Sequence, residues 1–146
     1  MRCREPFHSC HPQGKKMLKK AKWLAKEAQL RIKYMISKDC IFCQMAEGKI
    51  TTKPILDTES VFAINDINPV SETHVLIIPK SHVESVLTVD KNHGGIIVEM
   101  FKAGQRIVKE KKLSAFRFAF NGGKYQHVGH LHMHLLAGGK VNWSKL

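Results

Sequence analysis

Imidazoles recur at every second position in the run His130-Leu131-His132-Met133-His134-Leu135-Leu136. Side chains of a strand alternate between its two faces, so this spacing predicts His130, His132 and His134 on one face and Leu131, Met133 and Leu135 on the other. A helix would separate residues two apart by roughly 200° around its axis and scatter both groups. One face therefore reads as chemistry and the other as core. Imidazole titrates near neutrality, so the cluster can ligate a metal, attack phosphorus, protonate a leaving group or bind an anionic oxygen. A merely solvated strand face would more cheaply use Lys, Glu or Thr. The last three of those abilities suit cleavage of a phosphate ester or phosphoramide.

A second constellation is the pair Cys40 and Cys43, whose C-x-x-C spacing suits a metal or redox site. With the remote His82 and His130 it supplies the four nitrogen and sulfur ligands of a tetrahedral structural zinc. A redox dithiol, or two reduced cysteines in a turn, are the alternatives. Cys3 and Cys10 carry no assignment. Asp66 stands in Asp-Ile-Asn-Pro after an apolar run. Its carboxylate can accept both hydroxyls of a ribose, or cap the turn that Pro69 helps to form. Ile64 and Ile67 flank it and can sandwich a base, although apolar residues in such places are more often core. His74 opens an apolar run, where a satisfied core histidine is the ordinary reading; it is kept as a supporting residue.

These residues need a scaffold. Cys40 to Glu47 reads as a short turn or helix, and Ile55–Asp57 with Val61–Asp66 as a pair of strands. His74–Pro79 reads as a buried strand that Pro79 ends. From about Lys91 to Lys111, Ile97, Met100, Phe101, Gly104, Ile107 and Val108 recur at intervals of three and four, which predicts a helix whose first turn is weakened by Gly94 and Gly95. Phe116, Phe118 and Phe120 alternate with Arg117 and Ala119, a strand with a core face, and Asn121–Lys124 is a turn before the histidine strand. Hairpin, strand, long helix and two more strands define an α+β fold: an antiparallel five-stranded sheet with a long helix packed on it.

The chain has 146 residues, enough for one ordinary packed domain, and a formal charge of +12. Residues 1–34 hold ten Lys or Arg against two Glu, and the remainder fourteen against ten acidic residues. The excess is thus concentrated at the N-terminus, and the rest lacks the basic stripe with interleaved aromatics of a nucleic-acid track, so no nucleic-acid partner is expected. Residues 1–36 form a basic extension, disordered over 1–14 and then an amphipathic helix, and residues 37–146 form the domain. The helix over 15–34 reads as a membrane-surface or targeting helix, a docked helix, or translated sequence upstream of a start at Met35. No run approaches the roughly 18 to 20 apolar residues of a membrane span, and a cytoplasmic setting is the default.

The run His130 to Leu136 resembles the signature of the histidine-triad family, and the likeness covers residues 39 to 146. It extends over Cys40-Ile41-Phe42-Cys43 with Gly48-Lys49-Ile50, over Phe62 to Pro69, over His74 to His82, and over Gly138-Gly139-Lys140 with Trp143. It is most similar to the Hint branch of nucleoside phosphoramidases. The resemblance implies that His132 attacks the α-phosphorus of a purine nucleoside monophosphate derivative, of AMP type, to form a nucleotidyl-histidine that water hydrolyses. It implies that His134 binds the α-phosphate, while His130 orients His132 or serves a metal, and its carbonyl can hold the His132 ring. It assigns nucleotide contacts to Asp66, Ile67, Asn121, Gln126, His127, Val128 and His134. His127 departs from the small hydroxyl or carboxylate often found there and adds a further proton donor. The resemblance also strengthens the zinc set Cys40, Cys43, His82 and His130, implies no catalytic metal, and implies a homodimer, sheet-extended, that Trp143 contacts. Dinucleoside polyphosphate hydrolysis, and a non-catalytic nucleotide-binding regulatory module, are the alternatives.

Overall fold

The computed structural model describes residues 39–142. The expectations for residues 1–36 and for Trp143 fall outside them.

Helix α1 (Ile41–Ala46) leads into strands β1 (Leu56–Asp57), β2 (Val61–Asn65) and β3 (Thr73–Pro79); helix α2 (Gly94–Glu110), β4 (Phe116–Phe120) and β5 (Met133–Ala137) follow. The strands form one antiparallel sheet in the order β1-β2-β3-β5-β4. The open five-stranded sheet with one long helix is the architecture expected from the sequence.

β3 lies at the centre with β2 and β5 on either side, and these inner strands are apolar nearly throughout rather than alternating. Val75 and Ile77 of β3, with Met133 and Leu135 of β5, point to one side, where Met100, Ala103 and Ile107 of α2 close the core. The helix shows its buried residues at intervals of three and four because one stripe alone faces the sheet. Full burial of a side chain such as Ile77 contributes about 1.5–3 kcal/mol. Leu76 and Ile78 point to the opposite side, where they meet Phe62 and, from α1 and its N-cap, Cys40, Phe42 and Cys43. The sheet therefore has a structural face under α2 and a second face under α1.

Local chemistry sets the boundaries. Asp90 accepts from the backbone of Asn92 at 2.8 Å and starts a 3-10 turn, Lys91–His93, so the regular helix begins at Gly94 rather than Lys91. Gly104 is required by packing, since a Cβ there would sit 2.7 Å from the ring of Phe118. β4 is an edge strand, and its expected core face is only partial. Phe118 and Phe120 meet Phe101 of α2 edge-on at 5.8 and 6.4 Å, whereas Phe116 is 45% exposed.

The histidine strand is shorter than expected. Its last rungs pair Met133 with Ile77 and with Phe120, so His130, Leu131 and His132 precede β5. There the backbone makes other bonds: Leu131 N–H donates to the Val83 carbonyl at 2.6 Å, and His130 N–H to that of Val128 at 2.7 Å. Leu131, Met133 and Leu135 nevertheless share the α2-side core. Among the described residues no helix is long and apolar enough to cross a membrane.

Candidate active site

A cavity of about 340 Å³ opens on the α1 side of the sheet, lined by His132, His134, Asp66, Ile67, Asn121, His127 and Val128 among others. Three elements build it. β5 and the residues just before it bring the two imidazoles, the turn after β2 brings Asp66 and Ile67, and α1 roofs it with Ile41, Phe42 and Met45.

The hydrogen bonds decide which nitrogen of each ring carries a proton. His132 Nδ1 lies 2.7 Å from the His130 carbonyl, which can only accept, so Nδ1 is the donor and Nε2 keeps a lone pair. His132 packs edge-on against Phe42 at 5.4 Å and against His134 at 5.0 Å, which fixes the ring plane. Burial is the main cause holding its pKa below the ordinary imidazole value; the bond to His130 and the Asp66 charge oppose it, and His127 adds to it.

His134 is set by a longer chain. Val70 N–H donates to His74 Nδ1 at 3.2 Å, so the proton of neutral His74 is on Nε2. That nitrogen lies 2.8 Å from His134 Nδ1, which must accept, and His134 therefore carries its proton on Nε2. His134 Nε2 is buried without a hydrogen-bond partner among the described residues. Burial, with His132 and His74 nearby, lowers the pKa of His134 to about 3. The pocket thus presents one nucleophilic nitrogen on His132 and one unused N–H on the neighbouring ring.

Asp66 performs its capping role, accepting from Asn68 N–H at 2.8 Å through Oδ1, while Oδ2 lies 3.3 Å from His74 Nε2. His74 is a buried residue tied to the site rather than an isolated core histidine. Ile67 stands at the rim, 91% exposed.

Two of the residues assigned from the sequence lie off the cavity wall. Gln126 does not line the cavity: its amide donates to the carbonyls of Glu84 at 2.6 Å and Val128 at 2.9 Å and so ties down the loop before the histidines. His130 is absent from the cavity wall as well: it keeps to the α1 side of the sheet, as the alternation predicts, and its carbonyl holds the His132 ring, but its own ring lies against Phe42, Cys40 and Cys43. Its Nε2–H donates to the Pro79 carbonyl at 2.9 Å, and its Nδ1 lone pair faces Cys40 Sγ at 3.2 Å and Cys43 Sγ at 3.5 Å. His82 Nδ1 completes the group 3.3 Å from Cys43 Sγ. The four donor atoms lie within 4.8 Å of one another. Burial lowers the pKa of His130 to about 4, which keeps the ring neutral as a ligand must be. The donor set and the fixed tautomer of His130 fit a tetrahedral zinc.

Ile41, Phe42, Met45, Asn65, Asn68 and Leu76 also line the cavity and were not singled out from the sequence. The spacing of Ile41 and Met45 marks one face of a helix, but nothing local says what that face covers.

A sheet flanked by one long helix, with paired imidazoles under a short one, defines the class. Residues 39–144 match the family described as scavenger mRNA decapping enzyme C-term binding. The bifunctional adenosine 5'-phosphosulfate phosphorylase/adenylylsulfatase HINT4 of Arabidopsis thaliana is 31% identical over 105 residues, covering 70% of this chain and 72% of the relative. The adenosine 5'-monophosphoramidase HNT1 of Saccharomyces cerevisiae is 31% identical over 99 residues, 66% of this chain and 61% of the relative. Among solved structures, a histidine triad protein from Clostridium difficile is 37% identical with a TM-score of 0.68, covering 72% of this chain and 95% of its own. A HIT family hydrolase from Clostridium thermocellum is 32% identical with a TM-score of 0.68, covering 71% and 94%. The chain belongs to the histidine-triad family, as a Hint-like member.

Proposed function

We propose that the protein hydrolyses purine nucleoside 5'-phosphoramidates or related acyl-adenylates through a nucleotidyl-histidine. The observation that carries this reading is the complementary pair in the cavity: a lone pair on His132 Nε2 beside an unpartnered donor on His134 Nε2. His132 Nε2 bonds to the α-phosphorus as the bond from phosphorus to the leaving nitrogen or oxygen breaks. His134 Nε2–H stabilises the charge that gathers on the phosphoryl oxygens. His127, on the rim, supplies the proton that the leaving group takes. Water then attacks the phosphorus of the nucleotidyl-histidine and gives its proton back to His127, as the bond from phosphorus to Nε2 breaks, releasing the monophosphate and restoring neutral His132. Asp66 accepts the ribose hydroxyls, with Ile64 and Ile67 against the base and Asn121 near the phosphate.

The names of the Arabidopsis and yeast relatives, an adenosine 5'-phosphosulfate phosphorylase/adenylylsulfatase and an adenosine 5'-monophosphoramidase, support an adenylyl substrate. The test is hydrolysis of adenosine phosphoramidate. His132→Ala should lower kcat at least about a thousandfold, with a nucleotidyl-protein adduct, stable in alkali and lost in acid, trapped on alkaline denaturing quench in the wild type only. Equal rates for the two proteins would remove His132 as nucleophile.

Cys40, Cys43, His82 and His130 are proposed to hold a structural zinc that ties the start of α1 to the end of β3 and the entry to β5. The metal supplies folding energy there and takes no part in the chemistry. Reduced cysteines of this kind suit a reducing compartment such as the cytoplasm. A homodimer is proposed across the outer edge of β4, where exposed Phe116 lies on the same sheet as Phe118, which packs on Phe101 of α2.

A further inference from the structure

Three polar side chains connect the rim of the cavity with its floor. Asp66 Oδ2 lies 3.3 Å from His74 Nε2, and His74 Nε2 lies 2.8 Å from His134 Nδ1. The three donor atoms sit within 4.8 Å of one another, the layout of a two-histidine, one-carboxylate metal site. The nitrogen spacing decides against that reading. Two imidazoles on one tetrahedral zinc at about 2.1 Å each stand roughly 3.4 Å apart. A separation of 2.8 Å is instead a short N–H···N hydrogen bond.

The His74 proton is consequently shared. It points chiefly at His134 Nδ1 and, at longer range, at the Asp66 carboxylate, whose other oxygen is already occupied by Asn68 N–H. A carboxylate beside an imidazole N–H favours the tautomer that bears the proton on that side. The same carboxylate is the group that the nucleotide reading assigns to the ribose.

We propose that Asp66 and His74 are positioning residues: Asp66 acts through His74 to hold His134 in the tautomer whose Nε2–H faces the phosphate, and ribose binding at Asp66 strengthens this relay. When sugar hydroxyls donate to the Asp66 carboxylate they fix it in place beside His74, so the His74 proton stays on Nε2 and in the bond with His134. The His134 donor is then fixed at the moment a phosphoryl oxygen arrives. Without the relay His134 can turn its Nε2 lone pair toward the oxyanion, a repulsive contact. Sugar recognition is thereby coupled to rate as well as to binding. The coupling rests on the proposed nucleotide hydrolysis, whereas the relay itself is a property of the free protein, and the two are tested separately.

The first arm is kinetic and compares adenosine phosphoramidate with its 2',3'-dideoxy analogue. In the wild type, loss of both hydroxyls should lower kcat about tenfold in addition to raising KM. In His74→Leu that kcat ratio should collapse toward unity although Asp66 remains, and His74→Gln, which keeps a donor facing His134, should recover part of it. Hydroxyl removal that alters KM alone in the wild type, or a kcat ratio unchanged by His74→Leu, overturns the coupling.

The second arm needs no turnover. Nitrogen-15 NMR of histidine-labelled protein should show His134 protonated at Nε2 in the wild type and a mixture of tautomers in Asp66→Asn. An identical His134 spectrum in the two proteins overturns the relay even if the chain hydrolyses phosphoramidates. A fixed tautomer in a chain with no such activity would leave the relay standing and remove the hydrolase reading instead.

Discussion

Two adjacent histidines with the same side chain do opposite work because their backbones and neighbours differ. The carbonyl of His130 takes the His132 proton on Nδ1, and His74 fills Nδ1 of His134, so one ring faces the cavity with a lone pair and the other with a proton. His134→Ala should therefore lower kcat by about 10²–10³-fold, the usual loss of an oxyanion donor, while leaving nucleophilic attack by His132 possible. Steady-state kinetics on an adenosine phosphoramidate would check it. The same burial has a cost in acid. Unfolded histidine takes up a proton below its ordinary value of 6.5, whereas burial defers this in folded His134 to about 3. Between those values the unfolded chain binds more protons, so stability falls as pH drops from 6.5 toward 3. His74, also lowered by burial, adds to the trend. Urea melts at pH 7 and pH 5 should show the loss, and it should shrink in His134→Gln.

At the scale of elements, α2 and β4 meet through one missing side chain. A methyl group at Gly104 would stand 2.7 Å from the Phe118 ring and 3.3 Å from Ile77. Gly104→Val should destabilise the fold by about 1–3 kcal/mol, since a packed interface yields little. The gain in helix propensity is smaller than that clash. Thermal unfolding would measure it, with catalysis near wild type at low temperature, because α2 lies on the face away from the cavity. The turn after β5 has a related constraint. Gly138 has φ of 78°, and a side chain there would strike Glu72. Either requirement alone favours glycine.

For the whole molecule, the cysteine and histidine cluster spans the segments on either side of the cavity: Cys40 and Cys43 at α1, His82 after β3, and His130 before β5. Metal loading should raise the unfolding temperature, and a strong chelator should lower it, with elemental analysis giving about one zinc per chain. Cys43→Ser should abolish the chelator effect. Well under one zinc in protein purified without chelator would remove the metal. The β4 edge is tested by light scattering. A sheet-extended dimer should dissociate when Phe116 is replaced by Lys, since a charge there blunts edge pairing.

Much was legible in the sequence because it is local. Alternation and helical period follow from backbone geometry, so the β4 strand, the α2 stripe and the Leu131, Met133 and Leu135 core positions could be read directly. The C-x-x-C pair and the histidine spacing likewise narrowed the chemistry. What the tertiary structure alone decided is direction and company. The alternation of histidines cannot reveal that strand pairing ends at Met133, or that the His130 ring meets Cys40 and Cys43 rather than the cavity. Nor can it reveal that His74, sixty residues upstream, sets which nitrogen of His134 holds its proton. Spacing assigns side chains to faces, but a tautomer depends on the partner across the sheet, which exists only once the strands have paired.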